Sequence, residues 1–237
     1  MIDMIDIHSH VIPCVDDGSP SLETSISLVK EEIRQGVRKI ICTPHYRRGM
    51  FETSKEDILT QYNLLKEEIK KENLDIELFL GQEIYLRGYD SLSKYLDIDR
   101  VFSMNGKNYL LIEFSYTREL DLSEIAYNAK LRGFTPIIAH IERYEYVDLD
   151  KAYDIIEAGG LIQVNAASII GKEGSRIKKR ARKYLKSGVV SFISSDIHST
   201  RVNYMEKTYN YVLKKYGEEM ARKLFHDNAC QLIEEKK

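Results

Sequence analysis

Seven short apolar runs, each separated from the next by an amphipathic stretch, constrain this chain more than any other feature. The strand candidates are Met4–His8, Arg38–Thr43, Ile76–Gly81, Tyr109–Phe114, Thr135–His140, Leu161–Asn165 and Val189–Ser194. Strands that alternate with helices pair in parallel, because a parallel neighbour needs a crossover long enough to hold a helix. The helix ends are readable. Ser19-Pro20 suits an N-cap and first turn, and Gly36 closes that helix. Ser54 caps the next, with Asp57 in its electropositive first turn. Asp121 or Ser123 opens the stretch closed by Gly133, and Gly159-Gly160 and Gly188 punctuate the following units. The first strand–helix junction lacks a nucleotide-binding glycine fingerprint, which weakens an open doubly wound sheet. The expectation is an α/β fold, a seven-stranded (β/α) barrel. With 237 residues, four prolines and no linker, a single domain over 1–237 is expected.

Five of the six histidines fall at one kind of position. His8 and His10 end the first run, and His45 follows KIICTP. His140 ends TPIIA, and His198 follows VVSFISSD; His226 alone lies in a helical pattern. Carboxylates share the bias: Asp17, Glu83, Glu113 and Asp196 sit at or just beyond strand ends. In parallel β/α folds that end gathers catalytic groups. Residues two apart on a strand share a face, so Asp6, His8 and His10 can converge, as can Asp196 and His198. So many imidazoles and carboxylates at one mouth are costly to bury without a compensating cation. A divalent metal cluster would compensate them. Nitrogen and oxygen donors without paired thiolates favour manganese, iron or zinc.

Each residue also has a plainer reading. Glu113 alone fits a satisfied core acid as well as a ligand. Asp6 is expected to orient a histidine, Asp16 to serve the turn at Gly18, and Cys14 to be a small buried residue. Arg47, Arg48, Arg143 and Arg201 follow the candidate ligands closely. Their guanidinium forks suit phosphate, although solvated surface charge is the alternative for Arg47 and Arg48. Metals with arginines point to hydrolysis of a phosphate ester. Tyr46, Tyr116 and Tyr144 are candidates to line the mouth. The basic run 176–188 reads as a solvated helix face, with reception of an acidic partner as the alternative. A net charge of −2 argues against a nucleic-acid-binding module. The acidic start without a signal peptide, the lack of a membrane-length apolar run and three unpaired-looking cysteines lead to an expected cytoplasmic location.

In order, MIDIHSH, DDG, TPHYRRGMFET, GQEIY, LIEFS, AHIERY and SSDIHS resemble the polymerase and histidinol phosphatase (PHP) superfamily. They resemble most closely the manganese-dependent protein-tyrosine phosphatases of bacterial capsule and exopolysaccharide operons. The resemblance implies a distorted seven-stranded barrel with three metals at its C-terminal mouth. It implies one metal at His8, His10, Glu83 and Asp196, and a second at Glu83, Glu113 and His140. Asp17, His45 and His198 would hold the third. Arg143 matches a phosphate-binding arginine; Arg201 matches a second one across a shorter segment than the family's usual one. The implied substrate is a phosphotyrosine protein, namely a bacterial polysaccharide-assembly tyrosine kinase, attacked by water that the metals make acidic. The thiol-phosphatase Cys-x5-Arg loop is absent, so no cysteine nucleophile is expected. Competing readings are a histidinol-phosphate or other small-molecule phosphomonoesterase, a PHP- or TatD-like nuclease, and a metal-stabilised binding module without turnover.

Overall fold

The apolar runs form parallel strands, and amphipathic segments supply most crossovers between them. The structure, a computed structural model, describes residues 2–97 and 100–234. In chain order the main elements begin with β1 (Met4–Ser9), α1 (Leu22–Arg34), β2 (Val37–Cys42), β3 (His45–Tyr46) and α2 (Lys55–Lys71). There follow β4 (Glu77–Leu80), β5 (Glu83–Tyr85), α3 (Tyr89–Asp97), β6 (Tyr109–Glu113), α4 (Leu122–Leu131) and β7 (Thr135–Ile138). The last group is α5 (Leu149–Glu157), β8 (Leu161–Asn165), α6 (Ala166–Ile170), α7 (Ser175–Ser187), β9 (Phe192–Ser194), α8 (Met205–Tyr216), α9 (Glu218–Arg222) and α10 (Asn228–Ile233).

The strands form two parallel sheets, ordered β1-β2-β4 and β3-β5-β6-β7-β8-β9. Nine strands therefore stand among the described residues in place of the expected seven. The reason is local: β3 takes up the direction of β2 after Thr43-Pro44, and β5 that of β4 after Gly81-Gln82. At Gly81 a side chain would not fit, since a Cβ would meet Met104 Sδ at 2.8 Å and Ile41 Cγ2 at 3.1 Å. A parallel bridge of Ser9 with Ile197, and the bond from Asp196 N–H to the His8 carbonyl (2.9 Å), tie β1 to the segment leaving β9.

The period-two pattern divides the core. Ile40, Leu110, Ile112, Ile138, Ile162 and Ile193 pack with the helix residues Val29, Leu65, Ile125, Ile155 and Leu185. The alternate residues Ile41, Leu111, Ile137 and Phe192 form a second cluster with Ile5, Ile7 and, from α10, Leu232. Continuing that second column along the strands reaches Glu113 from Leu111, and Ser194 and then Asp196 from Phe192. Strand parity thus sends the acids away from the face that packs on α1, α2, α4, α5 and α7.

One helix end differs from expectation, and one choice left open by the sequence is resolved. Ser21, not Ser19, caps α1, its side chain accepting from Thr24 N. Asp121, not Ser123, caps α4, taking the N–H groups of Ser123 and Glu124. Ser54 caps α2 as read, with Asp57 N–H bonded to its Oγ and the hydroxyl returned to the Asp57 carboxylate. Among the described residues no helix is long and apolar enough to cross a membrane.

Candidate metal centre

The site begins where the DDG loop folds back onto β1. A Cβ at Gly18 would fall 2.3 Å from both the Cβ and the carbonyl oxygen of His10, so only glycine permits this approach. The loop delivers Asp16 into the interior. Its Oδ2 accepts from His10 Nδ1 at 2.7 Å and from His45 N–H at 2.9 Å, while Oδ1 accepts from Gly18 N–H at 2.9 Å. Asp16 therefore orients a histidine as well as the turn. Asp6 instead accepts from the backbone of His8 and Ser195 and from the Ser195 hydroxyl. Cys14, expected to be buried, is exposed, with a left-handed φ of 61° and its thiol against the Pro20 carbonyl.

The candidate ligands converge. Glu83, at the start of β5 and wholly buried, lies at their centre. Its Oε2 stands 2.9 Å from His45 Nδ1, 3.2 Å from His8 Nε2 and 3.3 Å from His10 Nε2. None of these contacts has hydrogen-bond geometry, so Oε2 is a buried acceptor without a partner. The other oxygen, Oε1, binds His140 Nε2 at 2.9 Å. Glu113 Oε1 lies 3.8 Å from the same His140 nitrogen. Four donor groups each gather within 4.8 Å: His8, His10 and Asp196; His8, Glu83 and His140; His45, Glu83 and Glu113; His10, His45 and His198. Asp17 stands at the edge, its side chain 57% exposed and Oδ1 3.6 Å from His45 Nε2 and 3.7 Å from His198 Nε2.

Asp196 divides its carboxylate between two tasks. Oδ1 faces His8 and His10 Nε2, both at 3.6 Å. Oδ2 accepts from Arg143 (3.0 Å) and Asn165 (2.8 Å) and is ion-paired with Arg201 Nη1 at 2.5 Å, which donates its hydrogen bond to the Asp196 backbone carbonyl at 3.0 Å. One residue thus joins the histidine floor to the arginine wall. His140 and Asp196 have φ of 31° and 52°, a left-handed backbone that is strained for such residues and is concentrated at functional sites.

The electrostatics follow from this crowding. Burial alone would raise Glu83 and Asp196. The charges of His8 and His45 overcome it at Glu83, and those of His8, Arg143 and Arg201 at Asp196, holding both well below the usual carboxylate range. Burial likewise lowers the imidazoles, but Glu83 and Asp196 lift His8 to about 9, and Glu83 lifts His45 to about 10. His198 goes the other way, to about 2, through burial and the neighbouring His10. The buried His198 Nε2 also lacks a hydrogen-bond partner. A buried carboxylate oxygen and a buried imidazole nitrogen, both unpartnered within a nitrogen–oxygen donor set, fit a divalent cation.

Above this floor lies a cavity of about 160 Å³ lined by Arg143, Arg201, Arg47, Met50, Phe51 and Tyr116, among others. Arg47 packs its guanidinium over Tyr85 at 4.2 Å, and the Arg48 carbonyl accepts from Arg87. Of the three tyrosines expected at the mouth, only Tyr116 reaches it, donating to Glu113 at 2.9 Å. Tyr46 packs edge-on against Tyr95 in the core, and buried Tyr144 accepts from Phe114 N–H. Sequence reasoning passed over Gln163, Asn165 and Glu173. Glu173 takes Arg143 Nη2 at 2.5 Å while accepting from the Ser168 hydroxyl.

Over residues 4–234 the chain matches the family described as capsular polysaccharide synthesis, CpsB/CapC. The chain belongs to the CpsB/CapC family. Its relatives include tyrosine-protein phosphatase CpsB of Streptococcus agalactiae, 37% identical over 240 residues, covering 97% of this chain and 98% of that protein. The CpsB/CapC chain also superposes on a structure from work on YwqE of Bacillus subtilis and CpsB of Streptococcus pneumoniae, described as unique metal-dependent tyrosine phosphatases. That match has a TM-score of 0.88 at 28% identity, covering 97% of this chain and 94% of the other. Histidinol phosphate phosphatase of Lactococcus lactis shares the fold alone, with a TM-score of 0.56 at 15% identity and coverage of 92% and 95%.

Proposed function

We propose that this CpsB/CapC chain is a metal-dependent protein-tyrosine phosphatase whose reaction takes place over the Glu83 cluster. The observation that carries the reading is the buried Glu83 oxygen ringed by three imidazole nitrogens without a hydrogen bond. His8, His10, Asp17, His45, Glu83, Glu113, His140, Asp196 and His198 would hold the ions, three in number and manganese by preference, with iron or zinc as alternatives. Bound divalent ions would supply charge neutralisation of the phosphoryl oxygens and a water acidic enough to react near neutral pH. The strand segments, closed by the Ser9–Ile197 bridge, support a distorted seven-stranded barrel with this site at its C-terminal mouth.

The chain's own residues supply the rest. Arg143 and Arg201 carry five N–H donors each, so donors remain for phosphate while Asp196 anchors both groups. They face the oxygens on which charge grows as the phosphoryl group transfers. Phenolate is a good enough leaving group to depart with little protonation. Met50, Phe51 and Tyr116 put apolar surface around the opening, which suits an aryl ester better than a small polar one. The partner is a phosphotyrosine protein, a cytoplasmic tyrosine kinase of polysaccharide assembly, with no nucleic acid.

The test is metal-reconstituted protein assayed side by side on a phosphotyrosine peptide, histidinol phosphate and single-stranded DNA. The peptide is expected to be the preferred substrate, with activity lost to chelator and largely kept in Cys14→Ser. Preference for either other substrate overturns the substrate assignment, and full activity in excess chelator overturns the metal.

A further inference from the structure

Two neutral residues on β8 form a polar chain beneath the candidate ligands. Gln163 and Asn165, two apart and so on one face of the strand, are wholly or almost wholly buried. Gln163 Oε1 accepts from His140 N–H at 2.7 Å and lies 3.3 Å from His8 Nδ1. Gln163 Nε2 donates to Asn165 Oδ1 at 2.8 Å, and Asn165 Nδ2 donates to Asp196 Oδ2 at 2.8 Å.

The direction of this chain is determined from both ends. A backbone N–H can only donate, so the Gln163 atom facing His140 must be its oxygen. An ionised carboxylate can only accept, so the Asn165 atom facing Asp196 must be its nitrogen. Either end alone orients both amides, and the two agree. Turning either amide over would set donor against donor or acceptor against acceptor in a buried site. With Gln163 Oε1 fixed, the imidazole nitrogen facing it must carry a proton.

We propose that Gln163 and Asn165 are positioning residues that hold His8 with its proton on Nδ1, leaving the Nε2 lone pair aimed at the Glu83–Asp196 cluster. The same two amides couple three candidate ligands: His8 through its ring, His140 through its backbone and Asp196 through its carboxylate. His10 receives equivalent treatment from the Asp16 carboxylate, and His198 Nδ1 lies 3.1 Å from the Asp196 carbonyl. His8 is the one of these three served by a side-chain amide, which has two possible orientations, so its tautomer depends on the polarity of the Gln163–Asn165 chain. A hydrogen-bonded partner on the second ring nitrogen fixes ring orientation and raises ligand basicity. The inference rests on the proposed metal role only for its effect on affinity; the tautomer is a property of the protein alone.

The experiment uses the full chain with histidine-selective ¹⁵N NMR and zinc as a diamagnetic probe. At alkaline pH, once titration shows the ring to be neutral, metal-free wild-type protein is expected to show His8 protonated on Nδ1, facing Gln163 Oε1. Zinc should then bind on Nε2, with the Nδ1 proton shielded from exchange. Gln163→Leu is expected to weaken zinc about 10- to 100-fold, the usual effect of losing such a partner, and to expose the Nδ1 proton to exchange. Gln163→Glu keeps the acceptor toward His8 and His140 but loses the donor to Asn165, so it should restore the Nδ1 proton protection and part of the affinity, whereas a purely structural amide would be lost equally in both variants. A proton on Nε2 in the metal-free wild type overturns the proposal. So does undiminished zinc affinity in Gln163→Leu, or equal loss in the two variants. If wild-type protein takes up no zinc, the metal reading fails while the metal-free spectrum still decides the tautomer.

Discussion

The floor of the site and its rim are built differently. His8, His10, Glu83 and His140 sit at or just beyond strand ends, all but sealed from solvent. The ring nitrogens of His8 and His10 facing away from the cluster have their own acceptors in Gln163 and Asp16. The rim is loop. Arg47 to Phe51 turn through Gly49, at φ 81°, under an Arg47–Phe51 bridge, and Met50 is 61% exposed. The floor's donors suit any phosphate ester, whereas the rim's apolar side chains can distinguish what the phosphate is attached to. Floor substitutions should therefore remove chemistry for every substrate, and rim substitutions should change preference among them.

The largest effect is expected from Glu83→Gln. It removes the one carboxylate that touches His8, His10, His45 and His140 together. The kcat is expected to fall further than the roughly 10²–10³-fold that a single transition-state donor carries, for aryl and alkyl phosphates alike. Metal content measured after reconstitution should fall with it. Retained metal with a selective loss on phosphotyrosine would erase the distinction between floor and rim.

The floor was also the more legible part of the sequence. HxH and DxH at strand ends announce themselves through spacing, whereas Glu113 is separated from a satisfied core acid only by the family resemblance. What spacing could not reveal was partnership across the fold. Asp16 resembles a turn residue until Gly18 is seen packed on His10, and Gln163 and Asn165 do not titrate, so no charge pattern flags them. Strands β3 and β5, of two and three residues, are too short for any periodicity to register. Tyr46 and Tyr144 lie near site residues in sequence but turn inward, because local sequence does not say which side of an irregular segment meets the core.

Arg143→Lys comes next, testing the wall between floor and rim. Lysine keeps the charge but cannot reach Asp196 and Glu173 with a planar fork. A loss of about 10²-fold in kcat/KM is expected, with metal affinity close to wild type. An equal loss of metal would place Arg143 with the floor.

Proton linkage offers a third separation. In metal-free protein His8 and His45 are raised to about 9 and about 10, above the value of about 6.5 for an unfolded histidine. The folded state thus binds their protons more tightly than the unfolded state. Their contribution is fully present below about pH 6.5 and is lost as pH rises through about 9 to 10. Each tenfold difference in proton affinity between the two states corresponds to about 1.4 kcal/mol. Thermal unfolding should show metal-free protein losing stability between pH 7 and 10, while metal, which replaces those protons, flattens the profile. A flat metal-free profile would mean that the floor histidines are neutral before metal arrives.

The smallest and most discriminating effect belongs to Phe51. Its ring stacks on His45 at 5.4 Å with an interplanar angle of 13°, so it borders both the floor and the opening. An aromatic contact of this kind is worth about 0.5–1.5 kcal/mol. If the substrate ring lies against Phe51 and Met50, Phe51→Ala should raise KM for a phosphotyrosine peptide about 2- to 10-fold with kcat nearly unchanged. That pattern follows because the contact is equally present in ground and transition states. For an alkyl phosphate such as phosphoserine peptide, which has no ring to lose, both constants should stay near wild type. A fall in kcat for both substrates would instead show that Phe51 serves to hold His45 in place. Steady-state kinetics on the two peptides would then move the boundary between floor and rim outward by one residue.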